Sequence, residues 1–143
     1  MARIRVATVL DAPPAVVWAD VADIGSHVEW MADATAIRFL SEQTSGVGSR
    51  FECDTRIGPF TLTDVMEITE WVPGKVMGVR HVGVVTGTGR FTLKRQRGGR
   101  TRFQWSERLV FPRWLGGPVG AFVSRPVLRW VWRRNLTRLA RRF

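Results

Sequence analysis

The sequence predicts an α+β fold, with seven strands in one antiparallel sheet, two short helices after the first strand and a long C-terminal helix. Three observations support this prediction. Segments with apolar side chains at every second position recur along the chain, short turns rich in glycine or proline separate them, and residues 115–142 follow a helical period. A length of 143 residues suits a single domain over 1–143.

The N-terminal part predicts one strand followed by two short helices. Residues 3–10 begin with an alternation of basic and apolar side chains, which predicts the first strand. Asp11 is a suitable N-cap for a short helix, and the prolines after it suit a first turn. A second short helix is predicted over residues 26–31, where it holds His27 and Trp30.

The middle of the chain predicts the other six strands. Short turns that contain glycine or proline join them. Strands at this regular spacing form an antiparallel meander. Their predicted ranges are 35–41, 49–56, 60–71, 75–82, 86–95 and 101–111.

The longest helical pattern covers residues 115–142 and closes the chain. Glycines loosen its start, and Pro126 predicts a kink or a break. The segment combines tryptophan and phenylalanine with many arginines. Basic amphipathic helices of this kind can lie on anionic membranes. The simpler interpretation is that an apolar stripe covers the sheet while the arginines face water.

The composition limits the partners and the compartment. The net charge of +10 makes anionic surfaces plausible partners, although arginine abundance alone is weak evidence for function. Cys53 is the only cysteine, so an intramolecular disulfide and a cysteine-based zinc site are excluded. We expect a cytoplasmic protein, because no segment resembles a secretory signal or a membrane-spanning helix. No cofactor and no metal are predicted.

Several local motifs resemble those of the START-like, or SRPBCC, superfamily, whose members are often described as polyketide cyclase/dehydrase-like. The first is VLDAPPAVVW at 9–18, and Glu29 followed by Trp30 matches the position after the first helix. GVGSRF at 46–51 and ITEWVPGK at 68–75 resemble two turns of that group. The resemblance covers essentially the whole chain, and its motifs mark the fold rather than catalysis.

The resemblance implies a helix-grip fold, in which a curved seven-stranded sheet wraps around the C-terminal helix and leaves a cavity between them. Cavities in this superfamily bind sterols, lipids, polyketides or plant hormones. The first functional prediction is therefore the binding or carriage of a hydrophobic small molecule. A polyketide cyclase or dehydratase is the second, and a membrane-peripheral or interaction module that uses the C-terminal helix is the third. No motif assigns catalytic residues.

Strand alternation places three ionisable side chains on inward faces of an otherwise apolar sheet. Glu107 shares a face with apolar residues of the last strand, and His81 and Asp64 do so in two earlier strands. A few polar groups in an apolar cleft are typical of a small-molecule site, and we expect His81 to be the partner of Glu107. Alternatively, these groups pair with one another or with an arginine, or lie at open strand ends. The candidate cavity residues are Glu107, His81, Asp64, Trp105, Met66, Met77, Trp30 and Phe122.

Other chemistry lacks a supporting pattern. The two histidines have no His-x-x-x-His spacing, so a metal site is not favoured. The glycines between 83 and 89 precede a strand, which favours bulges or space for a ligand over a phosphate loop. No nucleic-acid reader motif is present, and a monomer or a homodimer both remain open. Weak contact with an anionic membrane would use Arg133, Arg134, Arg138, Arg141 and Arg142.

Overall fold

Seven strands form the sheet, and burial alternates most regularly in the first strand and the last two, as the sequence pattern predicts. In the computed structural model, which describes residues 2–143, they are β1 (Ala2–Leu10), β2 (Ala34–Phe39), β3 (Arg50–Ile57), β4 (Phe60–Val72), β5 (Val76–Val82), β6 (Thr86–Gln96) and β7 (Arg100–Val110). They form one antiparallel sheet in the order β1-β7-β6-β5-β4-β3-β2. The predicted α+β architecture and its seven strands are confirmed.

The first strand and the last strand are neighbours in this sheet. Ala2 pairs with Leu109 and Leu10 pairs with Thr101, so β1 covers the free side of β7 along its whole length. The other strands follow one another as consecutive hairpins. The two edges are therefore β1 and β2, and the segment between these strands must pass from one edge to the other.

In the part of the chain that the structure describes, two helices and two short 3₁₀ segments accompany the sheet. Helix α1 spans Pro14–Val21, and 3₁₀ segments span Ile24–Glu29 and Arg113–Leu115. The long helix α2 spans Gly117–Ala140 and runs through Pro126 without a break. Within residues 2–143, none of the helices has the length and apolar character needed to cross a bilayer.

The local signals at two helix starts differ from the sequence predictions. Asp11 is not the N-cap of α1; that position is occupied by Pro13, and no side chain caps the helix. The ring of Pro14 fixes the first turn instead. Helix α2 begins two residues later than predicted, because Gly116 adopts a left-handed φ of 91° and separates it from the preceding 3₁₀ segment.

Helix α2 packs mainly against β1 at one side of the sheet. The buried face of the helix carries Ala121, Leu128, Trp132, Leu136 and Leu139. This contact covers the inner face of β1 and part of β7. The inner face of the strands further from β1 is not covered by α2 in this way. Over β3, β4 and β5 that face borders a cavity.

A bulge in β4 changes which side chains face inward. Ile68 is buried and pairs with Val79, but the register shifts between Ile68 and Glu70, so that Trp71 pairs with Met77. Trp71 then packs edge-on against Trp18 of α1, with 5.2 Å between the ring centroids. Bulges bend a strand and increase its twist, which suits a sheet that curves around a helix.

Stacked aromatic rings fill the part of the core between α2 and the sheet. The rings of Trp105 and Trp132 lie 4.7 Å apart and nearly parallel. Trp30 meets Phe103 and Trp105 edge-on and tilts against Phe91. The short 3₁₀ segment that ends beside Trp30 is thereby anchored to the sheet.

We expect Trp132→Ala to lower the free energy of unfolding by about 3–5 kcal/mol, because it leaves a void against Trp105. Trp130, two residues earlier on the same helix, provides the matched control, since it is 59% exposed whereas Trp132 is 6% exposed. Trp130→Ala should cost less than about 1 kcal/mol. Urea denaturation measures both, and equal losses would contradict the assigned face of α2.

Candidate functional site

A cavity of about 820 Å³ lies between the inner face of the sheet and α2. Its wall is mainly apolar and includes Ile37, Leu62, Met66, Met77 and Val79. Alternation along the strands explains this lining, because every second side chain points inward. The aromatic core around Trp132 borders one part of the space.

The cavity reaches the surface beside the start of α2. Phe60, Trp114, Val123 and Val127 all line it and are all solvent-exposed. Side chains that are both lining and exposed mark a mouth. An apolar molecule therefore has a route between solvent and the interior at this point.

Three ionisable side chains meet on the wall of the cavity. His81 Nδ1 lies 2.6 Å from Asp64 Oδ2, and His81 Nε2 lies 2.7 Å from Glu107 Oε2. Trp105 Nε1 donates to Glu107 Oε1 over 3.0 Å. All four residues belong to inward faces of β4, β5 and β7, and all four line the cavity. The expected pairing of Glu107 with His81 is present in the structure.

The bridge from His81 to Glu107 crosses the intervening strand β6 at a glycine. Gly89 pairs with Glu107 in the sheet register. A Cβ at position 89 would lie 2.5 Å from both carboxylate oxygens of Glu107. The missing side chain therefore leaves room for the Glu107 carboxylate itself, rather than for a ligand as the glycine pattern suggested.

The cluster is charged at neutral pH. Burial disfavours the imidazolium form of His81, but the hydrogen bonds to Asp64 and Glu107 and their charges outweigh this effect and raise its pKa to about 10. Protonated His81 donates from both ring nitrogens. His81 thus brings a positive charge between two acidic side chains in an apolar wall.

One polar atom of the cluster has no partner. Asp64 Oδ1 is buried and makes no hydrogen bond to any of residues 2–143, whereas the other carboxylate oxygens and both ring nitrogens of the cluster are paired. A buried carboxylate oxygen without a donor is costly. Asp64 Oδ1 is therefore the one carboxylate oxygen of the cluster whose capacity to accept a hydrogen bond is unused within the described residues.

Two other reactive side chains on the wall are held in uncharged forms. His27 Nε2 lies 2.7 Å from the carbonyl oxygen of Val21, and burial lowers the pKa of His27. Burial also raises the pKa of Cys53 to about 11, which keeps its thiol protonated. Within residues 2–143, no group of three or more His, Cys, Asp or Glu side chains is placed to hold a metal ion.

Asn135 fixes the segment that enters β2, and the sequence reasoning did not identify it. It is fully buried on α2, where its Oδ1 accepts from the backbone N–H of Ala32 over 2.9 Å. Its Nδ2 donates to Asp33 Oδ1 over 2.6 Å, and Asp33 lines the cavity. The available signal was an amide between Trp132 and Leu136 on the buried stripe of a helix.

Six of the eight predicted cavity residues line the cavity: Glu107, His81, Asp64, Trp105, Met66 and Met77. Their contact with a ligand stays a prediction. The placement of two others was wrong. Trp30 is fully buried in the aromatic core and lies outside the cavity wall, and Phe122 is 69% exposed on the outer side of α2.

The whole chain, residues 1–143, matches the family model described as polyketide cyclase / dehydrase and lipid transport. No curated protein sequence matches the chain.

Solved structures share the fold at low sequence identity. The protein XoxI from Bacillus cereus is 14% identical, with a TM-score of 0.77 over 100% of this chain and 96% of that one. A protein from Thermus thermophilus is 14% identical, with a TM-score of 0.75 over 97% and 92%. The Zhui aromatase/cyclase from a Streptomyces species is 17% identical, with a TM-score of 0.72 over 97% and 88%.

The raised pKa of His81 predicts a distinct pH dependence of stability. Its protonated form contributes fully below the unfolded-state pKa of about 6.5, and the contribution is lost as the pH rises to about 10. The free energy of unfolding of the wild type, relative to His81→Gln, should therefore fall across this interval. Urea denaturation at several pH values measures the difference.

His27 is the internal control for this prediction. NMR of the two histidine side chains at about pH 8 should show both ring protons on His81 and one on His27. Titration of His81 at or below about pH 6.5 would show that its bridge to the two carboxylates does not form in solution.

Proposed function

The chain belongs to the polyketide cyclase/dehydrase and lipid transport family, and we propose on this premise that it binds an apolar small molecule in the cavity between its sheet and α2. The observation that carries the proposal is the mainly apolar cavity of about 820 Å³ with a mouth beside α2. Ligand pockets commonly enclose about 300–1,000 Å³ and hold a few polar groups that orient the ligand.

The polar group of the ligand is expected at the Asp64–His81–Glu107 cluster. Both nitrogens of His81 and both oxygens of Glu107 already have partners. The unpaired oxygen is Asp64 Oδ1, and a hydroxyl, phenol or amine could donate to it. A carboxylate could only repel it. We therefore propose an apolar ligand that carries a hydrogen-bond donor, not an anionic headgroup.

Carriage is favoured over catalysis because the cluster is poorly suited to proton transfer at neutral pH. A general acid works best with a pKa near the operating pH, whereas the pKa of His81 is raised to about 10. Its two ring protons are also directed at Asp64 and Glu107. The arrangement stabilises a fixed set of charges and leaves one acceptor for the ligand.

A polyketide cyclase or dehydratase is the second candidate. The observation in its favour is that an acid and two carboxylates meet on the wall of an apolar cavity, and one of the structural neighbours is an aromatase/cyclase. Ring closure would need a base to take a proton from a carbon and an acid to protonate the new alkoxide. Asp64 Oδ1 is the free acceptor that could act as the base.

Three compounds with the same chain and different head groups test the binding proposal: dodecanol, dodecylamine and dodecanoate. We expect the alcohol and the amine to displace an environment-sensitive dye from the cavity at concentrations at least about tenfold lower than the carboxylate. Failure of all three, and of the dye, to bind would contradict binding in the cavity. Equal affinity of the carboxylate would contradict only the head-group selectivity.

Asp64→Asn is the matching variant, because it removes the charge at nearly constant volume. It should bring the affinity of dodecanoate to within about threefold of that of dodecanol. Asp54→Asn is the control, since Asp54 lies on the adjacent strand but binds Arg38 on the outer side. Asp54→Asn should leave the ratio of the dodecanol and dodecanoate affinities unchanged.

The second candidate is tested with a linear poly-β-ketone thioester. The carrier interpretation predicts that the wild-type protein retains the compound and leaves its rate of ring closure as in buffer, followed by mass spectrometry and absorbance. An accelerated closure that is lost in His81→Gln, with binding retained, would instead favour the enzyme.

A further inference from the structure

We propose that the outer side of α2 is a docking surface for an anionic lipid bilayer, and this inference goes beyond the binding of a ligand. The surface, called here the apolar face, consists of exposed side chains at the start of α2 and just before it: Trp114, Val119, Phe122, Val123, Val127 and Trp130. Its members are 49–72% exposed.

The apolar face runs along one side of the helix. Val119, Val123, Val127 and Trp130 follow one another at intervals of three or four residues, and Phe122 lies beside them, so they form a stripe. The opposite side carries the buried residues that pack on the sheet. A helix on the surface of a globular protein normally presents charged or polar side chains to water at these positions. Here the first half of α2 presents apolar side chains on both sides.

The charge around the apolar face favours an anionic partner. From residue 108 to residue 143 the chain contains no aspartate or glutamate. The same stretch carries nine arginines, namely Arg108, Arg113, Arg125, Arg129, Arg133, Arg134, Arg138, Arg141 and Arg142. Apolar side chains with tryptophan beside arginines are what a helix needs to lie in the headgroup region of an anionic membrane.

The same charge argues against a second copy of the chain as the occupant. Two copies paired through this face would bring their arginine clusters together, and no carboxylate lies in the segment to neutralise them. A nucleic acid would pair with the arginines but would leave the stripe of valine and phenylalanine exposed. An anionic bilayer can bind the arginines through its headgroups and bury the apolar side chains at the same time.

Two of the arginines of α2 and the residues after it already have partners within the protein, which reduces the number available to a membrane. Arg142 forms ion pairs with Asp20 and Glu29, and Arg138 donates to the backbone oxygen of Glu29. Arg133, Arg134 and Arg141 are exposed on the same side of the helix as the apolar face, one to three turns further on. Of the five arginines predicted for membrane contact, these three fit the proposed surface.

The apolar face is continuous with the mouth of the cavity. Trp114, Val123 and Val127 belong to both. When the face lies on a bilayer, the mouth opens towards the lipid, and an apolar molecule can pass between them with little exposure to water. Docking and ligand exchange would then occur at the same surface.

Flotation with vesicles tests the proposal. We expect the wild-type protein to float with vesicles in which about a third of the phosphatidylcholine is replaced by phosphatidylglycerol, and much less with phosphatidylcholine alone. Higher salt should weaken the binding, because it screens the arginines. Val119→Ser combined with Phe122→Ser should weaken partitioning by about tenfold or more, since it removes two exposed apolar anchors.

Two matched controls distinguish binding through this surface from binding through the net charge or the exposed apolar residues of the whole protein. Val9→Ser with Val110→Ser removes exposed apolar side chains from the outer face of the sheet and should not change partitioning. Arg133→Gln with Arg141→Gln should weaken it by about thirtyfold, whereas Arg3→Gln with Arg5→Gln removes the same charge from the outer face of β1 and should weaken it far less.

Three outcomes would overturn the proposal. The first is a wild-type protein that does not float with the anionic vesicles. The second is an equal loss of binding in the Arg3 and Arg5 variant and the Arg133 and Arg141 variant, which would indicate attraction by net charge alone. The third is a dimer in ultracentrifugation that Val119→Ser with Phe122→Ser dissociates, which would make a second copy the occupant.

Discussion

The hydrogen bond between His81 on β5 and Glu107 on β7 depends on a residue without a side chain in β6, the strand between them. His81 and Glu107 are two strands apart, and their side chains meet directly over β6 at Gly89. Any side chain at this position would collide with the Glu107 carboxylate. The charge distribution of the cavity wall therefore depends on a glycine that takes no part in the hydrogen bonds of the cluster.

This arrangement explains how an apolar interior tolerates three ionisable groups. Each carboxylate alone would be strongly disfavoured in such a wall. Protonated His81 compensates both, and the Trp105 indole N–H adds a further donor to Glu107. Among the carboxylate oxygens of the cluster, only Asp64 Oδ1 receives no hydrogen bond from the described residues. The wall of the cavity is thus mainly apolar, and the one carboxylate oxygen of the cluster that the described residues leave unpaired belongs to Asp64.

The inward faces of the strands could be predicted because the period of two is unambiguous once a few large apolar residues define a face. Glu107 followed from Trp105 and Leu109, and its partner followed from the same reasoning in β5. The face of α2 could not be assigned in this way. Its first half carries large apolar residues on both sides, so periodicity did not distinguish buried Leu128 from exposed Phe122. The amide of Asn135 and the role of Gly89 depend on contacts between distant segments, which no local pattern contains.

The pairing of β1 with β7 has a consequence for the order in which the protein forms. During synthesis, β1 is made first, but its partner lies about a hundred residues later, at Leu109 for Ala2. The hairpins from β2 to β6 can assemble while β1 still lacks its sheet neighbour and its covering helix. The cavity becomes enclosed only when β7 and α2 arrive, which makes closure a late and non-local step of folding. Until then the inner face of the sheet is exposed, so a nascent chain that stalls before residue 100 would present its apolar side to chaperones.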